Sequence, residues 1–170
     1  MPAKLSVHPQ GEDFITSMPC LLSENEGKKY FGLKLVSRIE NHIPALQSDI
    51  TLYDAKTGEL LAIMDGNWIT AMRTGAVAAL AARTFQKQGT NTYSMLGLGN
   101  IARAVALCLI ADNSDREITI KLLRYKDQAE QFIDRFKAFN NVTFDIIDDK
   151  DAFASEADVL ISCVTVAKEL

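Results

Sequence analysis

Apolar and polar residues alternate in short runs through the first part of the chain, then recur at helical spacing. Ala3–Val7, Tyr30–Ile39 and Ser48–Tyr53 carry the period-two pattern of strands, set apart by turn-forming clusters at Ser23-Glu24-Asn25-Glu26-Gly27 and Asp54-Ala55-Lys56-Thr57-Gly58. The second cluster predicts a β-hairpin joining Ile50–Tyr53 to Leu60–Met64. From Asn67 to Gln86 the pattern becomes that of a long helix, with Gly89 as its stop signal. Ile69, Met72, Ala76, Val77, Leu80 and Thr84 fall on one side of that helix at about 100° per residue, forming an apolar stripe. Tyr53, Trp68 and Phe85 read as packing residues.

Beyond Gln88-Gly89 strands and helices alternate. Thr92–Leu96, Ile118–Leu123, Val142–Ile147 and Val159–Cys163 read as strands, and Ile101–Ala111, Gln128–Phe139 and Asp151–Ser155 as the helices between them. That order predicts an α/β, Rossmann-type doubly wound parallel sheet over residues 89–170, preceded by a smaller α+β domain over 1–88. A dinucleotide fold has two mononucleotide halves, and residues 89–170 supply the first half plus one strand.

Composition narrows the partners. With 170 residues, 48% of them apolar, the chain has ample material for a packed core. A net charge of -4 leaves no cationic excess for phosphate backbones or anionic lipid, so neither nucleic acid nor a membrane surface is expected as a partner. No apolar run approaches the ~18 residues of a membrane span, and no leader-like segment opens the chain. Cys20, Cys108 and Cys163 lack CxxC spacing and read as reduced thiols, which suits the cytoplasm. His8 and His42 stand far apart, and no metal ligand set can be assembled.

Between the first strand after the boundary and its helix lies Gly97-Leu98-Gly99-Asn100-Ile101-Ala102, a GxGxxA turn. The first glycine permits a tight turn and the second lets a pyrophosphate approach the backbone. The small third residue lets helix and strand pack closely, and the helix N-terminus offers free N–H groups to phosphate. The motif alone is weak; its place between strand and helix strengthens it, although a purely structural turn has the same form. At the end of the next strand an NAD site commonly offers a carboxylate to the ribose. Arg124 and Lys126 stand there instead. They favour a 2′-phosphate and hence NADP(H), if they are not simply solvated charges.

Arg73 lies within roughly 30° of the centre of the apolar stripe. A guanidinium cannot shed its charge, so in a buried setting it must meet a protein carboxylate, a phosphate or an anionic ligand. Lys34 alternates with Phe31, Leu33 and Leu35, and Lys4 shares a face with Ser6 and His8, so each reads by itself as solvent-facing.

Several segments in order carry a resemblance: Met1-Pro2-Ala3-Lys4, Met18-Pro19, Gly32-Leu33-Lys34, Thr57-Gly58-Glu59-Leu60-Leu61-Ala62, Asp65-Gly66 and Ile69-Thr70-Ala71-Met72-Arg73-Thr74-Gly75-Ala76, followed by the glycine turn. Together they resemble the ornithine cyclodeaminase/μ-crystallin family along essentially the whole chain. The resemblance implies further chain at both ends and an NAD(P)-dependent exchange of hydride at the α-carbon of an amino or imino acid. The activity implied is that of a cyclodeaminase, a ketimine reductase or an amino-acid dehydrogenase.

On the same ground Lys4, Lys34 and Arg73 correspond to cations that hold the substrate carboxylate, reversing the solvent-facing reading of the lysines. Ser48, Thr74, Gly97, Gly99, Asn100, Ile101 and Thr165 fall where relatives touch the dinucleotide, and Arg124 and Lys126 match NADPH-type members. The sheet-rich first segment implies a homodimer. Ile101 replaces a glutamine common in the turn. Thr16 stands where ornithine-cyclising members have a glutamate, which tilts the expectation toward a reductase or dehydrogenase. The family's catalytic aspartate falls beyond Leu170, and the 170-residue chain by itself is expected to be inactive. The alternatives are a non-catalytic NAD(P)H-binding protein like μ-crystallin and an accessory subunit.

Overall fold

A computed structural model describes residues 4–22, 27, 29–155 and 157–164. They form two compact units, Met1–Thr70 and Ala71–Leu170. The division falls inside the first turn of the long helix. Gln88-Gly89 marks instead where the secondary-structure pattern changes.

The first unit is an antiparallel meander of β1 (Leu5–Val7), β2 (Phe14–Leu21), β3 (Tyr30–Arg38), β4 (Leu46–Asp54) and β5 (Leu60–Asp65), paired in sequence order. The expected hairpin is present: Asp54 Oδ1 accepts from the backbone N–H of Lys56 and Thr57 at 2.7 and 3.0 Å, and Gly58 takes φ +76°. Strand β2 was not anticipated. Its sequence FITSMPCL lacks alternation, and Pro19 argues against a strand. Among the described residues β1 pairs with β2 only as far as Ser17, so none of them asks for an N–H from Pro19 on that outer edge.

Register places Lys34 between Met18 and Ile50, on the face that also carries buried Thr16, Val36 and Ser48. The opposite face carries Leu5, Val7, Leu21, Leu35 and Ile63, with Leu5 69% and Ile63 70% exposed. The solvent-facing reading of Lys34 from alternation alone is thus corrected. Counting leucines along β3 picked out the more apolar side, but the side that is covered is the one with Val36, and Lys34 stands half-buried on it.

The second unit holds a parallel sheet ordered β8-β7-β6-β9, formed by β6 (Thr92–Leu96), β7 (Ile118–Leu123), β8 (Val142–Ile147) and β9 (Val159–Ser162). Helices α2 (Asn100–Asp112), α3 (Gln128–Asp134) and α4 (Lys150–Ser155) connect these strands, and α1 (Asn67–Phe85) precedes them. This is the first mononucleotide half of a Rossmann-type fold plus one strand, as expected. The core joins Tyr93, Met95, Ile120 and Leu122 of the sheet to Val105 and Leu109 of α2. Helix α3 is shorter than its pattern suggested. After Asp134 the chain tightens into turns bonded three residues back, Arg135 N–H to Phe132 O and Phe136 N–H to Ile133 O, while Phe132, Phe136 and Phe144 pack ring against ring.

Helix α1 corrects the stripe reading. Gly75, Ala79 and Ala82 are its buried side, whereas Ile69, Val77 and Leu80 are 48%, 55% and 52% exposed, and Trp68 and Phe85 are exposed as well. Small residues win because a Cβ on Gly75 would stand 2.5 Å from the Ala104 carbonyl oxygen: α1 and α2 approach backbone to backbone.

Candidate functional site

The glycine turn is built as the dinucleotide reading requires. Gly97 takes φ +80°, where a side chain is strained, and a Cβ there would lie 2.8 Å from the Cys163 carbonyl carbon. Cys163 N–H donates to Leu96 O at 2.9 Å, so the end of β9 presses on the turn, and burial there pushes the Cys163 thiol pKa up. Gly99 is the N-cap of α2, with no side-chain cap bond. A Cβ on Gly99 meets none of the described residues within 4 Å. Ala102 is fully buried against the core, the close packing its small size was expected to serve. The turn therefore leaves open space beside an uncapped helix N-terminus, where free N–H groups and the dipole favour an anion. These residues fit a dinucleotide pyrophosphate, with Asn100 and Ile101 in the first turn of α2.

The strand end beside this turn is level with it. Met95 pairs with Leu122, so Gly97 and Arg124 each stand two residues past the same rung. Arg124 N–H donates to Ile147 O at 2.9 Å, drawing the ends of β7 and β8 together. The Arg124 guanidinium is engaged on two sides: Nε donates to Asp148 Oδ1 at 2.5 Å, and Nη1 pairs with Glu130 Oε1. Through that bond Arg124 holds the Glu130 carboxyl below its ordinary pKa. Lys126 sits in the left-handed region at φ +53°, with its ammonium 5.3 Å from the Tyr125 ring centroid. Of the two cations that favoured NADP(H), one already has carboxylate partners.

In the first unit β2 brings two expected residues near each other. Leu5 is opposite Ser17 and Lys34 opposite Met18, so Lys4, one residue before Leu5, flanks the same strand as Lys34 from the other side. Missing β2 hid this arrangement from the sequence. Ser48 is buried, and its hydroxyl shares a 2.8 Å hydrogen bond with that of Thr70. Gly66 packs against it, a Cβ there falling 2.4 Å from Ser48 Oγ, which accounts locally for the glycine at position 66.

Arg73 and Thr74 lie in the second unit. Arg73 is exposed and has no ion-pair partner among the described residues, so the burial argued from the stripe does not hold for it. Thr74 is half-buried, next to Gly75 at the approach to α2. Thr165 lies outside the described residues. Among the described residues no cluster of His, Cys, Asp or Glu is arranged to hold a metal ion, and no helix is long and apolar enough to cross a membrane.

The Ornithine cyclodeaminase/mu-crystallin family matches residues 1–170. The chain belongs to this family. Among curated proteins it is similar to a Delta(1)-pyrroline-2-carboxylate reductase of Colwellia psychrerythraea, 28% identical over 159 residues, covering 94% of this chain and 50% of that protein. It is also similar to the ketimine reductase mu-crystallin of Mus musculus, 33% identical over 140 residues, covering 80% of this chain and 43% of that one. Among solved structures a lysine cyclodeaminase, described in recognition of L-lysine, L-ornithine and L-2,4-diamino butyric acid, superposes with a TM-score of 0.76 at 26% identity, over 98% of this chain and 48% of its own. The Thermococcus litoralis Delta(1)-pyrroline-2-carboxylate reductase, solved with NADH and L-proline, shares the fold with a TM-score of 0.79 at 24% identity, over 95% of this chain and 50% of its own. The chain spans about half the length of these family members.

Proposed function

We propose that this family member serves an NAD(P)-dependent oxidoreductase that exchanges hydride at the α-carbon of an amino or imino acid. The observation that carries the reading is the turn at Gly97–Asn100, where a strained glycine, an open glycine and an uncapped helix end leave room for a pyrophosphate. Gly97, Gly99, Asn100 and Ile101 are the residues proposed to hold it, with Ser48, Thr74 and Thr165 as further contacts. When bound, the nicotinamide gives or takes the hydride. The chain's own residues supply position and charge: Lys4, Lys34 and Arg73 would neutralise the substrate carboxylate and orient the α-carbon. With lysine at position 4 the grip there is a point charge, not a fork. Thr16, buried and bonded to Ser6 at 2.8 Å, offers no carboxylate to a terminal amine, which favours cyclic imino acids over ornithine.

With Arg124 engaged by two carboxylates, Lys126 alone still speaks for NADP(H), and the charge at this strand end no longer favours it over NAD(H). The exposed apolar face around Leu5, Leu35 and Ile63 supports a homodimer formed through the first unit. Three free cysteines suit a reducing cytoplasm.

The intact protein, given reduced dinucleotide and a five- or six-membered cyclic imino acid, should oxidise the nicotinamide, read as loss of its near-ultraviolet absorbance. Tight dinucleotide binding without turnover on imino acids, ornithine, lysine or proline would favour the non-catalytic reading instead.

A further inference from the structure

We infer that Glu130 and Asp148 decide which dinucleotide this chain takes, by neutralising Arg124 and so favouring NAD(H) over NADP(H). The inference rests on the dinucleotide reading of the glycine turn. An arginine at the end of the second strand would ordinarily speak for a 2′-phosphate, since its fork matches phosphate geometry. Here the fork is used. Nε is bonded to Asp148 at the end of β8, and Nη1 to Glu130 on α3. The backbone bond from Arg124 to Ile147 holds this arrangement at the strand ends.

A guanidinium between two carboxylates belongs to a group of net negative charge. Lys126 is the remaining cation in the β7–α3 loop, so a dianionic 2′-phosphate there would meet the carboxylates of Glu130 and Asp148 and must compete with them for Arg124. A ribose diol brings no charge and can donate its hydroxyl protons to carboxylate oxygens. Exposed ion pairs are individually weak, which sets the scale: releasing both should change the balance by several-fold, not by orders of magnitude.

The test is the ratio of NADH to NADPH dissociation constants on the intact protein, measured by nicotinamide fluorescence at fixed ionic strength. Wild type should bind NADH more tightly. Glu130→Gln with Asp148→Asn should shift the ratio toward NADPH by roughly fivefold or more. Adding Arg124→Ala to that pair should abolish the gain, while Arg124→Ala alone should leave NADPH binding almost unchanged. If the two carboxylates instead aim Arg124 at a phosphate, wild type will prefer NADPH and the double variant will lose NADPH affinity, which overturns the inference. Both dinucleotides binding with a ratio that the variants do not move overturns it too, and leaves the site reading standing. Failure of wild type and variants to bind either dinucleotide would overturn the site reading itself, and the inference with it.

Discussion

At Gly97 an added Cβ would lie 2.8 Å from the Cys163 carbonyl carbon in a backbone with φ +80°, so the fold itself requires glycine there. Gly99 has φ -82° and open space around its Cα, a conformation other residues adopt, so the fold leaves that position free. The GxGxxA pattern was legible from spacing, but which glycine serves folding and which leaves room for a ligand depends on the strand β9 crossing behind the turn. The pairing of Arg124 was not legible, because Asp148 lies on a different loop. That pairing is open to direct titration. Arg124 lowers the Glu130 pKa in the folded chain, so the pair's stabilisation is complete above the ordinary glutamate pKa and is lost as pH falls through the lowered value. An NMR titration should place the Glu130 midpoint below that of unfolded glutamate and return it upward in Arg124→Ala; a midpoint that Arg124→Ala does not move would remove the clamp.

Among elements, helix α1 teaches most. Its large apolar residues suggested a packed stripe, and the structure packs the small ones, because only Gly75 permits the backbone of α1 to reach that of α2 at Ala104. Hydrophobic periodicity finds the helix but cannot rank a face of glycine and alanine above one of leucine and valine. Gly75→Ala weighs two effects. Helix propensity gains about 0.5–1 kcal/mol, and overpacking against backbone that cannot rotate away costs about 1–3 kcal/mol. The second should win, and urea denaturation should show a net loss of stability. A stabilised variant would mean the helices are less close than described. Strand β2 teaches the same lesson for sheets: Pro19 reads as a breaker until the strand is placed at an edge, where β1 pairs with it, among the described residues, only as far as Ser17.

For the whole molecule, the change of pattern after Gln88 and the strand–helix alternation beyond it were enough to read the Rossmann-type half, since βαβ periodicity is local. That Lys4 and Lys34 flank β2 from its two sides was not readable, because register arises only when strands meet. Family membership extends over the whole chain, yet the activity hangs on one claim: that a dinucleotide lies against the turn before α2. Gly99→Ala tests it most directly, because the added methyl meets no atom of the described residues within 4 Å, whereas a ligand lying against the turn would feel it. The variant should keep its ligand-free stability within about 1 kcal/mol. Its affinity for NADH, measured by calorimetry on the intact protein, should fall by roughly tenfold or more. A variant that binds NADH as tightly as wild type would contradict the account.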